Sequence, residues 1–313
     1  MAALPPYATP LERLWHYSYL VICTAIFIFL IAPILVVIPL SFNAEAYFTF
    51  SHKMLTLDPA GYSLRWYDQL LVYGMQAPEA VRDSAWWEDA WTNAAWVKAA
   101  KNSIIVGFWA TIFATSLGTL AALGLSRPEM PWRRSIMAIL ISPMIVPIII
   151  IATGMFFFYS APCALIGMDC GRLTSTYLGV ILAHTTLGIP FVIITVTATL
   201  SGFDQSLIRA SASLGANPRT TFFKVIMPLI LPGVISGGLF AFVTSFDEVV
   251  AVLFIAGPDQ QTIPRQMWNG IREAISPAIL AVATILVIIS IALLATIEML
   301  RRRSDRLRGV TGV

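Results

Sequence analysis

The sequence predicts an all-α integral membrane protein with six transmembrane helices, and three observations carry that prediction. Of 313 residues, 58% are hydrophobic and 12% charged, with a mean hydropathy of +0.78; soluble domains carry about 25% charged residues. Six stretches reach the ~20 apolar residues that a hydrocarbon core about 30 Å thick demands: 17–42, 103–125, 135–159, 177–200, 229–256 and 277–300. Lysine and arginine are distributed unevenly over the connecting segments, the asymmetry that sets topology.

The first stretch reads as a retained anchor and not a cleaved leader. Its apolar run is long, it contains Pro33 and Pro39, and no small-x-small site follows closely. Cys23 within it reads as a buried, inert, small apolar residue. The outward segment 43–102 ends in WWEDAWTNAAWVKAAKNS, with Trp87 and Trp91 at i, i+4 and Trp96 further round. Either these indoles rest at the headgroup level, or they form a docking surface for an extracytoplasmic partner. Pro143, Pro147, Gly154, Gly188, Pro190, Pro232, Gly233, Gly237 and Gly238 punctuate the later stretches, as in bundles that pack closely or enclose a path.

Orientation follows from the basic residues. Arg13, the Arg127/Arg133/Arg134 loop, the Arg209/Arg219/Lys224 loop and the tail with Arg301, Arg302, Arg303, Arg306 and Arg308 share one side. Both termini are therefore expected in the cytoplasm. The net charge of +3 is too small to suggest nucleic acid. Cys163 and Cys170 share a short outward loop; in an oxidising compartment a disulfide is one reading and two free thiols the other. Two sulfurs with no histidine close in sequence make a poor metal site, so no metal is expected.

Residues 204–233 read DQSLIRASASLGANPRTTFFKVIMPLILPG, too polar to cross a bilayer and too patterned for a slack connector. Asp204 suits a helix N-cap. Leu207, Ala210, Ser211 and Leu214 fall at i, i+3, i+4 and i+7, a narrow stripe of leucine and small side chains. Gly215 stands where a left-handed C-terminal cap ends that helix. Asn217 caps a second helix, with Pro218 at its first position. Pro228 and Pro232 mark the turn back into the membrane. The expected product is a stiff elbow with a small-residue face turned to the cytoplasm, suited to close approach by another protein's groove. A lipid-bound hairpin would need a wider apolar face and more lysines.

This stretch resembles the cytoplasmic coupling motif of binding-protein-dependent ABC importer permeases: Glu-Ala-Ala, three residues, Gly, nine residues, Ile-x-Leu-Pro. Here the motif falls on Arg209-Ala210-Ser211, Gly215 and Val225-Ile226-Met227-Pro228. The spacing is kept, while Arg209 stands for the acidic residue, Ser211 for the second alanine and Met227 for the leucine. KNSIIVGFWATIFATSLGTLAALGLSR and SPMIVPIIIIATG look like the second and third spans of that family. SFDEVVAVLFIAGPDQQTIPRQMW and EAISPAILAVATILV look like its spermidine/putrescine subgroup. Permeases for opines, aminophosphonates, ferric iron and sulfate are built similarly.

The resemblance implies a type I ABC importer permease fold in a bacterial inner membrane, with a coupling helix between the fourth and fifth spans. It assigns Leu207, Arg209, Ala210, Ser211, Leu214, Gly215, Ala216 and Pro228 to contact with a cytoplasmic ABC ATPase dimer. A second permease subunit, related but different, would complete the pathway, and a periplasmic binding protein would deliver the substrate, a polyamine or related small cation. No G-x-x-x-x-G-K-[ST] loop is present, so ATP and its Mg are expected on the partner and no catalysis or bound cofactor on this chain.

Asp247 and Glu248 lie within the fifth stretch, where carboxylates are costly, and as helix neighbours they would point about 100° apart. Either they pair with His184, Thr185 or Ser245, or one of them lines a cation pathway. His184 reads as an interhelical hydrogen-bonder or an ion relay. Phe254 and Trp268 read as packing and interface residues, and Arg265 as available for a charged contact with the binding protein. A secondary transporter using Asp247, Glu248 and His184 would show duplicated halves, and an intramembrane enzyme would carry a clustered catalytic motif such as H-E-x-x-H; neither pattern is found.

Overall fold

The computed structural model describes residues 9–127, 129–161, 171–202, 204, 206–273 and 276–307. Its helices run in the order α1 (Pro10–Leu40), α2 (His52–Leu55), α3 (Arg65–Val72), α4 (Ser84–Asn93), α5 (Ala95–Leu125), α6 (Arg133–Ile145), α7 (Ile148–Ser160), α8 (Tyr177–Ser201), α9 (Ser206–Ser213), α10 (Pro218–Thr221), α11 (Met227–Asp247), α12 (Val250–Ile255), α13 (Ile263–Glu273) and α14 (Ala278–Leu307). Among the described residues the only strand-like pairing noted is one isolated bridge, Asn43 to Tyr62. Two compact units result, Met1–Tyr73 with Gly270–Val313, and Gly74–Asn269.

In the first unit, α1 starts at a capping box. Glu12 N–H donates to Thr9 Oγ1 (3.3 Å), and Thr9 N–H donates to Glu12 Oε2 (2.8 Å), with Pro10 at the first turn. The most apolar stretch of α1 is not covered by the protein, which suits a helix surrounded by lipid. Cys23 is accordingly half-buried at most and not a core residue, correcting the sequence reading. Helix α14 packs on α1 and α3. Between α1 and α3 the buried Asn43 side chain ties the backbone together: its amide donates to Tyr47 O (3.0 Å) and Thr49 O (2.8 Å), while Trp66 Nε1 donates to Asn43 O (2.7 Å).

The second unit is built on α5, α8 and α11, which pack on one another. Small residues bring the backbones together. A Cβ on Gly118 would lie 2.7 Å from Val192 Cβ, and one on Gly188 would sit 3.0–3.2 Å from Ala241 and Ala114. Ala114, Ala122, Val192, Val196, Ile230 and Ala241 form the buried seam. A second cluster joins Val106, Tyr159, Val180, Ile181, Ala183, Val252 and Ile255, with Phe254 packed against it.

The six apolar stretches meet helices of three kinds. Four helices are long and apolar enough to cross unaided: Pro10–Leu40, Ala95–Leu125, Tyr177–Ser201 and the continuous Pro218–Asp247. Helix α5 starts well before residue 103; its 31 residues span about 46 Å, so its outer end projects beyond the hydrocarbon. The stretch 135–159 is no single rod: α6 and α7 meet at a 103° bend. Val146 is extended there (φ −73°, ψ 137°), because the ring of Pro147 disfavours helical geometry in the residue before it. The fifth stretch also breaks: α11 stops at Asp247, Glu248 is extended (ψ 122°), and α12 restarts at Val250. The last stretch lies on α14, whose apolar run is Ala278–Ala292.

Helix α4 turns Trp87 and Trp91 outward (53% and 63% exposed) and buries Trp86, while Trp96 is buried at the start of α5. The Lys101 ammonium sits 4.6 Å from the centroid of the Trp91 ring and donates to the Trp91 carbonyl.

Candidate functional site

The elbow between α8 and α11 is assembled from local signals. Asp204 accepts from the Ser206 N–H (2.8 Å) and hydroxyl (2.6 Å); these donors hold its carboxyl below the ordinary carboxylate range. Helix α9 ends in a Schellman motif. Gly215 takes φ +79°, its N–H donates to Ala212 O (2.9 Å), and the Ala216 N–H donates to Ser211 O (3.0 Å). Asn217 Oδ1 then accepts from Thr220 N–H (2.8 Å) to start α10, with Pro218 at its first turn. The corner projects: Leu214 is 88% exposed, and a Cβ on Gly215 would meet nothing within 4 Å. Leu207, Arg209 and Ala210 are exposed on α9, and Ala216 is half-buried.

Two elbow expectations are corrected. Ser211 is not on the exposed face; it is buried and its hydroxyl pairs with Thr221 Oγ1 (2.9 Å), bracing the two arms. Its place at i+4 from Leu207 did not reveal this, because the partner lies ten residues on, across the corner. Nor does the chain turn at Pro228. Helix α10 runs into α11 through a π turn, Phe222–Ile226, in which the Met227 N–H reaches Phe222 O. Proline lacks the N–H that an α-helix would require at 228, and the wider turn carries the helix past that gap. The elbow's second arm is therefore one continuous rod with the fifth span's first half.

Deeper in the same unit, His184 is buried and its Nδ1 pairs with Ser245 Oγ at 2.8 Å, joining α8 to α11. His184 Nε2 has no partner among the described residues. The carboxylates do not pair with His184 or with Ser245. Glu248 is buried, and its Oε1 accepts the Ala251 N–H (2.8 Å), capping the short helix α12. Asp247 is exposed at the end of α11. The pair is thus separated by a helix break and not by a 100° step round one helix. Thr185 bonds its own turn through Ile181 O (2.7 Å).

Arg265 is half-buried and part of its guanidinium is turned back onto its own chain. Its Nη1 donates to Val252 O (2.7 Å) and Ala256 O (2.8 Å). Sequence reasoning also missed Asn102 and Tyr177. Asn102 Nδ2 donates to Asp259 O (2.8 Å) and Gln261 O (2.9 Å), and the Tyr177 hydroxyl donates to Asn102 Oδ1 (2.7 Å). Trp268 is exposed on α13. Cys163 and Cys170 lie outside the described residues. Among the described residues, no group of three or more His, Cys, Asp or Glu is placed to hold a metal.

Comparison with known proteins agrees with this architecture. The family model described as binding-protein-dependent transport system inner membrane component matches residues 114–306, more than half of the chain. The chain is 28% identical over 289 residues to the spermidine/putrescine transport system permease protein PotC of Escherichia coli (strain K12), covering 92% of this chain and 95% of that one. It is 30% identical over 289 residues to the putrescine transport system permease protein PotI of the same organism, covering 91% of each. Among solved structures, it superposes with TM-score 0.64 and 15% identity on a chain of the bacterial alginate ABC transporter in complex with alginate pentasaccharide-bound periplasmic protein, covering 96% of this chain and 98% of that one. That last likeness concerns the fold alone. Fold, elbow spacing and family match converge, and the protein belongs to the binding-protein-dependent transport system inner membrane components, as a multi-pass permease subunit of an ABC importer.

Proposed function

We propose that this permease forms half of an ATP-driven import pathway for polyamines of the spermidine/putrescine type. A second, related permease supplies the other half, and a periplasmic binding protein delivers the substrate. Both termini lie in the cytoplasm of a bacterial cell. A dimer of a separate ATPase chain binds ATP and Mg and grips the elbow at Leu214 and Gly215. The observation that carries the coupling role is the elbow itself, a glycine-cornered, internally braced projection continuous with the fifth span through the π turn. Closure of the ATPase dimer displaces the corner, and the rod from Pro218 to Asp247 passes that displacement into the bundle.

The substrate class rests on the relatives' names and on the chemistry of Asp247, an exposed carboxylate at the break in the fifth span. A carboxylate in a membrane segment is tolerated where it faces a wet path, and there it favours a cation. Glu248 is committed to capping and is not assigned to the path. The test is uptake of labelled putrescine, spermidine and a panel of organic anions by the complete complex in proteoliposomes, with crosslinking from Leu214→Cys. Polyamine uptake dependent on ATP and a crosslink to the ATPase are expected. Uptake of anions only would overturn the substrate class, and absence of any contact between Leu214→Cys and an ATPase would overturn the coupling role.

A further inference from the structure

Helix α12 has six residues, too few to be stable by itself, and its ends need partners for the backbone groups that no helical turn satisfies. The protein supplies them from three elements. Glu248 takes the Ala251 N–H at one end (2.8 Å). At the other, the Ser175 N–H donates to Ile255 O (2.7 Å), and Arg265 Nη1 bridges Val252 O and Ala256 O (2.7 and 2.8 Å). Ala251, Val252 and Ile255 are buried. A carboxylate at the N-terminus and a guanidinium at the C-terminus both match the helix dipole. α12 is therefore a short, partly buried peg held at its two ends by side chains from outside it.

Arg265 lies on α13, immediately after the outward loop 257–262. That loop is tied to the outer ends of α5 and α8. Asn102 holds Asp259 O and Gln261 O, and Tyr177 holds Asn102. Lys98 forms an ion pair with Asp259 at 3.4 Å, and the Ile263 N–H donates to Ser103 Oγ (2.8 Å). From loop to break, the connection is continuous: loop 257–262, Arg265, α12, Glu248 and the adjoining Asp247. Helix α12 covers only about 9 Å of that path.

We propose that Arg265 is a positioning residue for transport, carrying displacement of the outward loop 257–262 through α12 to the acid-bearing break in the fifth span. The proposal rests on the importer reading above. Under it, a binding protein docking outside moves the loop, and Arg265 makes the peg follow. The bland reading is a brace that only holds α13 in place. The two differ in what survives removal of the guanidinium. A brace lost lowers assembly and every activity together, whereas a linkage lost leaves basal hydrolysis and removes the response to the binding protein.

The experiment uses the complete complex in proteoliposomes and measures ATP hydrolysis with and without its binding protein, together with polyamine uptake. Arg265→Met keeps the aliphatic stem and removes the donors. It is expected to assemble, retain basal hydrolysis and lose stimulation by about tenfold, within the usual range of coupling between sites. Arg265→Lys, whose ammonium has donors enough for both carbonyls, is expected to restore most of the stimulation. Asn102→Ala removes the two amide bonds to the loop, at Asp259 O and Gln261 O, while leaving both ends of α12 capped, and is expected to lower the stimulation in the same direction. Wild-type stimulation in Arg265→Met or in Asn102→Ala overturns the proposal, as does a parallel fall in assembly, basal hydrolysis and stimulation in Asn102→Ala. A failure of the importer reading is distinguishable, because the wild-type complex itself would then show no response to any binding protein.

Discussion

Replacement of Gly215 separates backbone strain from occupancy of the corner. Gly215 sits at φ +79° with open space around the position of a Cβ. Alanine there would meet no atom of this chain, so its cost is conformational, about 1–2 kcal/mol for a left-handed residue. The corner is held by the Ser211–Thr221 bond, two Schellman bonds and the Asn217 cap, each worth about 1 kcal/mol. Strain of that size loosens the corner without abolishing it. Asparagine tolerates the left-handed region better than alanine but places three more heavy atoms than alanine in the vacant space. In this chain alone Gly215→Asn should therefore be the milder change. If a partner's groove clasps the corner, the order inverts, because overpacking a close contact costs about 1–3 kcal/mol, or roughly 5–150-fold in docking. Uptake per ATP hydrolysed in proteoliposomes reads this directly, with limited proteolysis as a check that the elbow is intact. Wild-type coupling in Gly215→Asn refutes the clasped-corner reasoning.

Three other outcomes are expected. Ser211→Ala removes the brace to Thr221, at about 1 kcal/mol, and should raise the rate of proteolytic nicking at the elbow about fivefold while membrane insertion is unchanged. Asp247→Asn should depress polyamine uptake at unchanged melting temperature, whereas Glu248→Ala should lower stability by about 0.5–2 kcal/mol as a lost cap, seen as a lower melting temperature in detergent. Asp89 accepts from the Asn93 amide and from the Ala77 and Gln76 N–H groups, which together lower its pKa. Its stabilisation of the segment 76–93 is present above the ordinary carboxylate pKa of about 4 and is lost as pH falls through the depressed value. Amide protection factors across that segment, that is, exchange corrected for its intrinsic pH dependence, should fall on acidification below the ordinary carboxylate range and stay flat above it.

How much was legible follows the range of the interactions. The elbow's glycine corner and its Asn217-Pro218 helix start were readable because each signal acts within four or five residues of its own position. The apolar stretches were readable because hydrocarbon thickness sets a length. The bend at Val146 was signalled by Pro147, though its angle was not, since packing against neighbours decides it. Ser211 was misplaced because a stripe on one helix says nothing of which side the second arm folds against. Pro228 was misread because a proline in a helix can be absorbed by a π turn as well as by a corner.

The break at Glu248 was hidden for a more general reason. No glycine or proline marks it. What permits it is a set of donors and acceptors brought from elsewhere: a carboxylate at the start of α12, the Ser175 N–H from the turn before α8, and a guanidinium thirteen residues beyond Val252. Within a membrane, backbone groups released by a break must be satisfied by the protein or by a wet cavity, so a break without local signals requires tertiary polar partners. That argument inverts into a reading rule for this chain. Buried Glu248 and Asn102 and half-buried Arg265 look like separate anomalies in an apolar sequence. They are the partners of one interrupted helix and of the loop that returns from it. Asp247, beside them, is exposed and makes no such bond among the described residues, which is why the proposed path is placed at it and not at Glu248.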